Sequence, residues 1–198
     1  LDLTNLDANP FTQFDQWMRV AIETEILEPN AMSLATADAS GRTNLRTVLL
    51  KGFDHRGLVF YTNYESSKAR DIAENPRLAL SFTWLPLERQ IIITGRAEKI
   101  PATESLKYFL SRPRDSQIGA WASRQSEVIS TRSMLETKFA EMKAKFSRSE
   151  VPLPDKWGGY RVTPETFEFW QGRPNRIHDR FRYSSDTAGA WKIERLMP

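Results

Sequence analysis

Between Met32 and Asn63 the chain passes through three strand-like stretches separated only by turn-sized breaks. This spacing constrains the fold more than any other feature. Met32 to Ala37, Leu45 to Phe53 and Leu58 to Asn63 read as strands, and the breaks at Asp38 to Gly41 and Asp54 to Gly57 carry the Asp and Gly residues of tight turns. A parallel crossover needs a dozen or more residues, so strands joined this closely must be antiparallel. Leu78, Leu80, Phe82 and Trp84 then alternate as a half-buried strand, and Gln90 to Ile100 makes another. Strand patterns return at Tyr160 to Thr163, Thr166 to Gln171, Arg176 to Tyr183 and Ala190 to Leu196. An antiparallel sheet of this many strands is expected to close into a barrel, which removes exposed edges.

Helical periodicity occurs outside these runs. Asn9-Pro10 forms a cap followed by proline in the first turn, ahead of Phe11, Phe14, Trp17, Met18, Ala21 and Ile22 at helical spacing. Pro29-Asn30 ends that helix. Ser66 to Glu74 reads as a serine-capped helix stopped at Asn75-Pro76, and Thr103 to Leu110 and Ser116 to Ala122 read as two more. Ser130 to Phe146 is a longer helix whose stripe of Leu135, Phe139, Met142 and Phe146 suits core or subunit packing. The predicted class is α+β: an antiparallel barrel with peripheral helices, in one domain over 1–198. At 198 residues the chain can bury a single core. Zero cysteines exclude disulfides and thiolate chemistry, which fits a cytoplasmic location. No apolar run is long enough to span a membrane, and no signal-peptide pattern opens the chain. A net charge of +3 is too small for a general nucleic-acid binder, so the cations matter locally.

Local cation clusters are where chemistry is expected. If Arg176 to Tyr183 is a strand, Arg176, His178, Arg180 and Arg182 share one face. That face reads either as a solvated edge or as a wall that receives an anion, and the aromatic lead-in of Phe167, Phe169 and Trp170 favours a planar ligand. Arg46 to Lys51 is a strand segment with cations at both ends. Ser66, Ser67 and Lys68 open a helix, where free amides and a lysine could hold an anion or merely cap it. Tyr108, Arg112 and Ser116 recur every four residues, but Pro113 breaks the helix after Arg112 and leaves Ser116 near the start of the next. Gln125 and Ser126 follow Trp121 without a signal of their own. There is no glycine-rich phosphate loop and no serine-hydrolase motif, and His55 and His178 do not make a metal cluster.

Taken together, RTVLLKGFD at 46–54, VFYTNYESSKA at 59–69, LERQIIITGRAEK at 87–99, YFLSRPRDSQIGAWASRQS at 108–126, VPLPDKWGGYRV at 151–162 and EFWQGRPNRIHDR at 168–180 strongly resemble the pyridoxamine 5'-phosphate oxidase family. The resemblance runs from about Asn9 to Pro198. It implies an FMN-binding split barrel, and a homodimer with flavin at the subunit interface. It also implies oxidation of pyridoxamine 5'-phosphate and pyridoxine 5'-phosphate to pyridoxal 5'-phosphate, with hydride passing to flavin N5 and O2 reoxidising the flavin to give H2O2. By resemblance, FMN contacts fall on Arg46, Thr47, Val48, Leu49, Leu50, Lys51, Tyr61, Thr62, Ser67, Lys68, Gln90, Gln125, Ser126, Trp170 and Arg180. Substrate phosphate would meet Lys51, Tyr108, Arg112 and Ser116, while Arg176 and His178 would lie over the substrate ring and act in catalysis.

Two departures from the family stand out. Many members carry arginine where this chain has Ser67, and members have a basic N-terminal segment that is not matched by the opening LDLT. A related split-barrel flavoprotein with another substrate is the alternative enzyme. A non-catalytic module binding pyridoxal phosphate or nucleic acid is the alternative outside enzymes, and steep salt dependence would mark the latter.

Overall fold

The computed structural model describes residues 1–186 and 189–198. The first helix, α1 (Pro10–Glu23), starts as its sequence requires: Asn9 accepts a hydrogen bond from the Phe11 N–H, and Pro10 sits in the first turn. Phe14, Trp17, Met18 and Ala21 are buried, but Ile22 at the end of the predicted stripe is 57% exposed. The strands follow as β1 (Ala31–Ala37), β2 (Thr43–Leu49), β3 (Gly52–Asp54), β4 (Gly57–Asn63), β5 (Arg77–Trp84), β6 (Arg89–Lys99), β7 (Trp157–Gln171), β8 (Asp179–Ser185) and β9 (Trp191–Leu196). Between them lie α2 (Ser67–Glu74), α3 (Ala102–Ser111), α4 (Arg114–Ala122) and α5 (Arg132–Lys145).

All pairings are antiparallel, in the order β2-β1-β5-β6-β7-β4-β3, with β8 on the far half of β7 and β9 beyond it. β2 and β3 stand at opposite ends of this order, yet only Leu50 and Lys51 separate them in the chain. Two residues reach about 7 Å. The sheet must therefore curl until its two edges meet. At the seam the Leu50 N–H donates to the Asn30 carbonyl and the Lys51 N–H to the Val59 carbonyl, each at 2.9 Å. The barrel is thus split: its edges are joined by the chain and a few hydrogen bonds rather than by a continuous ladder.

The structure corrects several expected boundaries. Leu45 to Phe53 is two strands that part at the seam. The two strands expected within 160–171 are one 15-residue strand, β7. Pro164 is tolerated inside it because the register with β6 shifts at Thr94 and Gly95, where the missing side chain of Gly95 lets the backbone of Thr163 and Pro164 approach.

The largest correction concerns the cationic strand. β8 begins at Asp179, because Pro174–Arg176 is a 3-10 turn in which Asn175 and Arg176 both hold φ at 61°. Left-handed backbone cannot continue a strand, so Arg176 and His178 do not share a face with Arg180 and Arg182. The repulsion expected along that face is also absent, since Arg180 pairs with Glu168 at 2.8 Å and Arg182 with Glu194 at 3.1 Å. α5 departs from its predicted stripe too. It buries no residue, Leu135 is 41% exposed, and only Phe139, Met142 and the following Phe146 pack against the smaller core.

The main core fills the concave face of the sheet, where Trp17 meets Phe169 edge-on at 5.2 Å and Phe14 meets Phe82 at 5.1 Å. A second cluster of Phe109, Ile118, Phe146, Val151 and Trp157 ties the α3–α5 layer to β7. Truncating Phe169, fully buried among Trp17, Phe167 and Tyr183, should cost about 3–5 kcal/mol. Ile22→Ala should cost less than about 0.5 kcal/mol. Urea unfolding of the two variants at pH 7 checks the contrast.

Candidate functional site

A cleft of about 780 Å³ opens beside the seam. β2 contributes Arg46, Thr47, Val48 and Leu49, and Lys51 projects from the crossover. The facing wall is built from Tyr61 and Thr62 on β4, Ser67 and Lys68 at the start of α2, Tyr108, Arg112 and Ser116 around the α3–α4 break, and Gln125 and Ser126 after α4. Sixty or more residues separate some of these groups, and the curl of the sheet brings them together. Leu50 alone of the 46–51 segment is absent from the lining. Its side chain is buried, and its carbonyl and N–H are both bonded to Asn30.

One end of the cleft is cationic. Lys68 is 4% exposed and donates to Thr62 Oγ1 at 3.2 Å, Ser66 Oγ at 3.2 Å and Gln125 Oε1 at 3.0 Å. All three acceptors are neutral. Burial, and then the nearby Arg46 charge, lower the lysine to about 8. Ser66 therefore does not cap α2 with its side chain, as expected from sequence; its hydroxyl serves the lysine. The Arg46 guanidinium is half-buried, with Nη1 donating to Thr36 Oγ1 at 2.6 Å and Leu34 O at 3.2 Å, and Nη2 lying 3.7 Å from Asp71. Burial lowers its affinity for its proton and Asp71 opposes that shift. Ser67 closes this end, its N–H donating to Ser126 Oγ at 3.3 Å, with Ser126 held at a φ of 74°.

The other end is aromatic and carries Arg112. Tyr61 and Tyr108 stack at 4.0 Å between ring centres, and Tyr61 stacks on Trp157 at 5.3 Å. Arg112 lies over the Trp157 ring at 4.8 Å. Among the described residues no carboxylate pairs with it, and its buried Nη1 has no hydrogen-bond partner. Burial lowers its proton affinity. A buried guanidinium hydrogen left unsatisfied is costly, and an arriving anion would satisfy it. The break at Pro113 is stabilised by Gln117, whose Nε2 donates to the carbonyls of Phe109, Leu110 and Arg112. Trp157 and Gln117 were not legible as site residues: Trp157 carried no periodic signal, and Gln117 acts only on carbonyls that the helix break exposes.

The remaining expected residues lie elsewhere on the chain. Gln90, Trp170 and His178 line a separate cleft of about 590 Å³ with Arg89 and Arg173. Gln90, Trp170 and Arg180 form one row across β6, β7 and β8. Arg180 is held by Glu168 and by the Met197 carbonyl. His178 rests on Trp170 at 4.8 Å, and its Nδ1 accepts from the Arg173 N–H at 3.1 Å, so the neutral ring carries its hydrogen on Nε2. Arg176 is exposed on the left-handed turn. Among the described residues no group of three or more metal-ligating side chains is assembled, and no helix is long and apolar enough to cross a membrane.

The cleft lies at the seam of a split barrel, is cationic at both ends and flat-ringed at one, and so has the chemistry to receive a planar molecule bearing phosphate. The structure superposes with a TM-score of 0.76 on a pyridoxamine 5'-phosphate oxidase-related, FMN-binding protein from Nostoc punctiforme PCC 73102, covering 98% of this chain and 100% of that one at 16% identity. It superposes at 0.93 on PhzG from Burkholderia lata 383, solved with tetrahydrophenazine-1-carboxylic acid, at 31% identity over 98% and 95% of the two chains. Residues 18–146 match the family model described as pyridoxamine 5'-phosphate oxidase, and 157–198 match the pyridoxine 5'-phosphate oxidase C-terminal dimerisation region. Pyridoxine/pyridoxamine 5'-phosphate oxidases from Rippkaea orientalis and Crocosphaera subtropica are 58% and 61% identical, over 100% and 98% of this chain and 93% and 92% of theirs. The chain belongs to the pyridoxamine 5'-phosphate oxidase family, and its fold is the family's dimer-forming split barrel.

Lys68 yields a pH test. Its folded-state value of about 8 lies below the usual lysine value. The unfolded chain therefore binds more protons between about pH 8 and 10.5, and stability rises with pH across that window. Relative to Lys68→Met, the ligand-free wild type should gain on the order of 2 kcal/mol between pH 7.5 and 10. Parallel urea titrations at the two pH values measure the difference.

Proposed function

We propose that this protein is a homodimeric, cytoplasmic oxidase that converts pyridoxamine 5'-phosphate and pyridoxine 5'-phosphate to pyridoxal 5'-phosphate with FMN as cofactor and O2 as electron acceptor. The observation that carries this reading is the pairing of two separate anion seats in one cleft: Arg46 with Lys68 at one end, and the partnerless Arg112 Nη1 at the other. Two phosphate groups, one on the flavin and one on the substrate, match that arrangement. Lys51, Tyr108 and Ser116 stand beside Arg112 as further donors to the substrate phosphate. Thr62, Ser67, Gln125 and Ser126 gather about Lys68 on the flavin side, and Tyr61 joins them from the aromatic end of the cleft.

When bound, the flavin would accept hydride from the substrate C4' carbon at N5 and pass the electrons to O2, giving H2O2. The protein's part is to bind, orient and exclude water. Its half-buried cations strengthen each phosphate contact by holding it away from bulk solvent. Arg176 and the Nε2–H of His178 act on the substrate ring, orienting it and stabilising charge that develops as the C4' hydrogen leaves.

His178 lines the second cleft of the same chain, and Arg176 is exposed on the turn that follows its Pro174 wall, so a complete site needs residues from both subunits. A twofold dimer supplies this arrangement twice. Gln90, Trp170 and Arg180 of one subunit would then meet flavin held chiefly by the other.

The purified protein should be yellow and should consume oxygen when given pyridoxamine 5'-phosphate. Arg112→Ala should raise KM for that substrate about 10- to 150-fold, with flavin content unchanged. Normal kinetics in this variant, or its purification without flavin, would remove Arg112 from the substrate site. Subunit mixing tests the shared site. Assayed with substrate well below the wild-type KM, Arg112→Ala and His178→Ala homodimers should each show little activity. After unfolding and refolding together in equal amounts, half of the dimers should carry one intact site, restoring about a quarter of wild-type activity by statistical pairing of a twofold dimer. No recovery from a mixture that has reformed dimers would place both residues in one subunit's site.

A further inference from the structure

The seat of Arg46 has a second layer that the proposed chemistry does not use. Asp71 is 7% exposed and Thr36 is 2% exposed, beneath the cationic end of the cleft. The Thr36 hydroxyl donates to Asp71 Oδ2 at 2.6 Å, and Asn44 Nδ2 donates to the same oxygen at 3.1 Å. A hydroxyl has one hydrogen. With that hydrogen committed to Asp71, a Thr36 lone pair must face outward, where it accepts from Arg46 Nη1 at 2.6 Å. The Leu34 carbonyl accepts from the same nitrogen at 3.2 Å. Both Nη1 hydrogens are thereby held by Thr36 and Leu34, which fixes the guanidinium where Arg46 lines the cleft.

The carboxylate cannot be there to attract the ligand, since a negative charge 3.7 Å from Arg46 opposes anion binding. What it supplies is direction. Lys68 and Asp71 are three residues apart on α2, hence neighbours on one helix face. One helix thus delivers a cation to the ligand and, a turn later, the group that orients the second cation.

We propose that Asp71 is a positioning residue that acts through Thr36 to aim Arg46 at the flavin phosphate. This rests on the reading of Arg46 and Lys68 as the phosphate seat. Asp71→Asn separates direction from charge, because an amide oxygen in place of Oδ2 can still accept from Thr36 and Asn44. Asp71→Ala removes both, and Thr36→Val removes only the hydroxyl that links them.

Dissociation constants for FMN and riboflavin, measured by flavin fluorescence on the flavin-stripped full chain, read the phosphate contribution directly. Asp71→Ala and Thr36→Val should each weaken FMN about tenfold or more, with riboflavin changed less than about twofold. Asp71→Asn should bind FMN as tightly as the wild type or more tightly. Unchanged FMN affinity in Asp71→Ala, parallel weakening of riboflavin, or an Asp71→Asn variant as weak as Asp71→Ala would each overturn the positioning role. Should Asp71→Ala fail to fold, Thr36→Val decides by the same criteria. A wild-type chain with no preference for FMN over riboflavin would instead overturn the phosphate seat itself.

Discussion

The crossover of Leu50 and Lys51 between opposite edges of the sheet is the constraint on which the molecule depends. Two residues cannot bridge a flat sheet of seven strands in series, so the sheet must curl. The curl creates the concave face that α1 fills with Phe14 and Trp17. It also brings β2 alongside β4 without a ladder between them. The gap left at this seam is where the cleft opens, lined by β2 on one side and by β4 and the helix starts on the other.

Cation placement follows from that geometry. Arg46 points from β2 toward the barrel end covered by α2, where Thr36 and Asp71 can reach it. Lys68 lies buried among neutral oxygens, and its lowered proton affinity is the electrostatic signature of a charge kept without a carboxylate. Arg112 is retained in a similar state, stacked on Trp157 with one nitrogen unsatisfied. Arg161, by contrast, is buried but lies between Asp54 and Glu104 at 3.2 and 3.1 Å, as a structural cation does. Lys68 and Arg112, held without a carboxylate, are the cations that single out the cleft as the candidate site.

Strand existence was legible because alternation records which side of a sheet is buried, and the short Asp- and Gly-bearing breaks required antiparallel neighbours. Strand limits were less legible. Pro164 suggested a break in β7, and only the register shift opposite Gly95 shows how the strand continues. Arg176 and His178 alternated with Arg180 and Arg182 in the sequence, but Asn175 and Arg176 adopt left-handed backbone that ends the pattern. Ser66 carried an ordinary capping signal, yet its hydroxyl is drawn to Lys68 because a buried ammonium is the stronger demand. α5 looked amphipathic, but it buries no residue and Leu135 in its stripe stays 41% exposed.

By itself, the sequence determined the class of fold, the antiparallel order of local hairpins, and the identity of the cationic and aromatic residues from which the site is built, because these depend on residue type and on spacings of a few positions. The tertiary structure decided which of those residues meet. Arg46, Lys68 and Arg112 share a cleft, whereas Gln90, Trp170 and His178 line another, and Asp71, Thr36 and Trp157 gain their places only through long-range contacts. The reason is the curl: it is imposed by a closure between strands at opposite ends of the sheet, and no local pattern encodes which side chains that closure sets face to face.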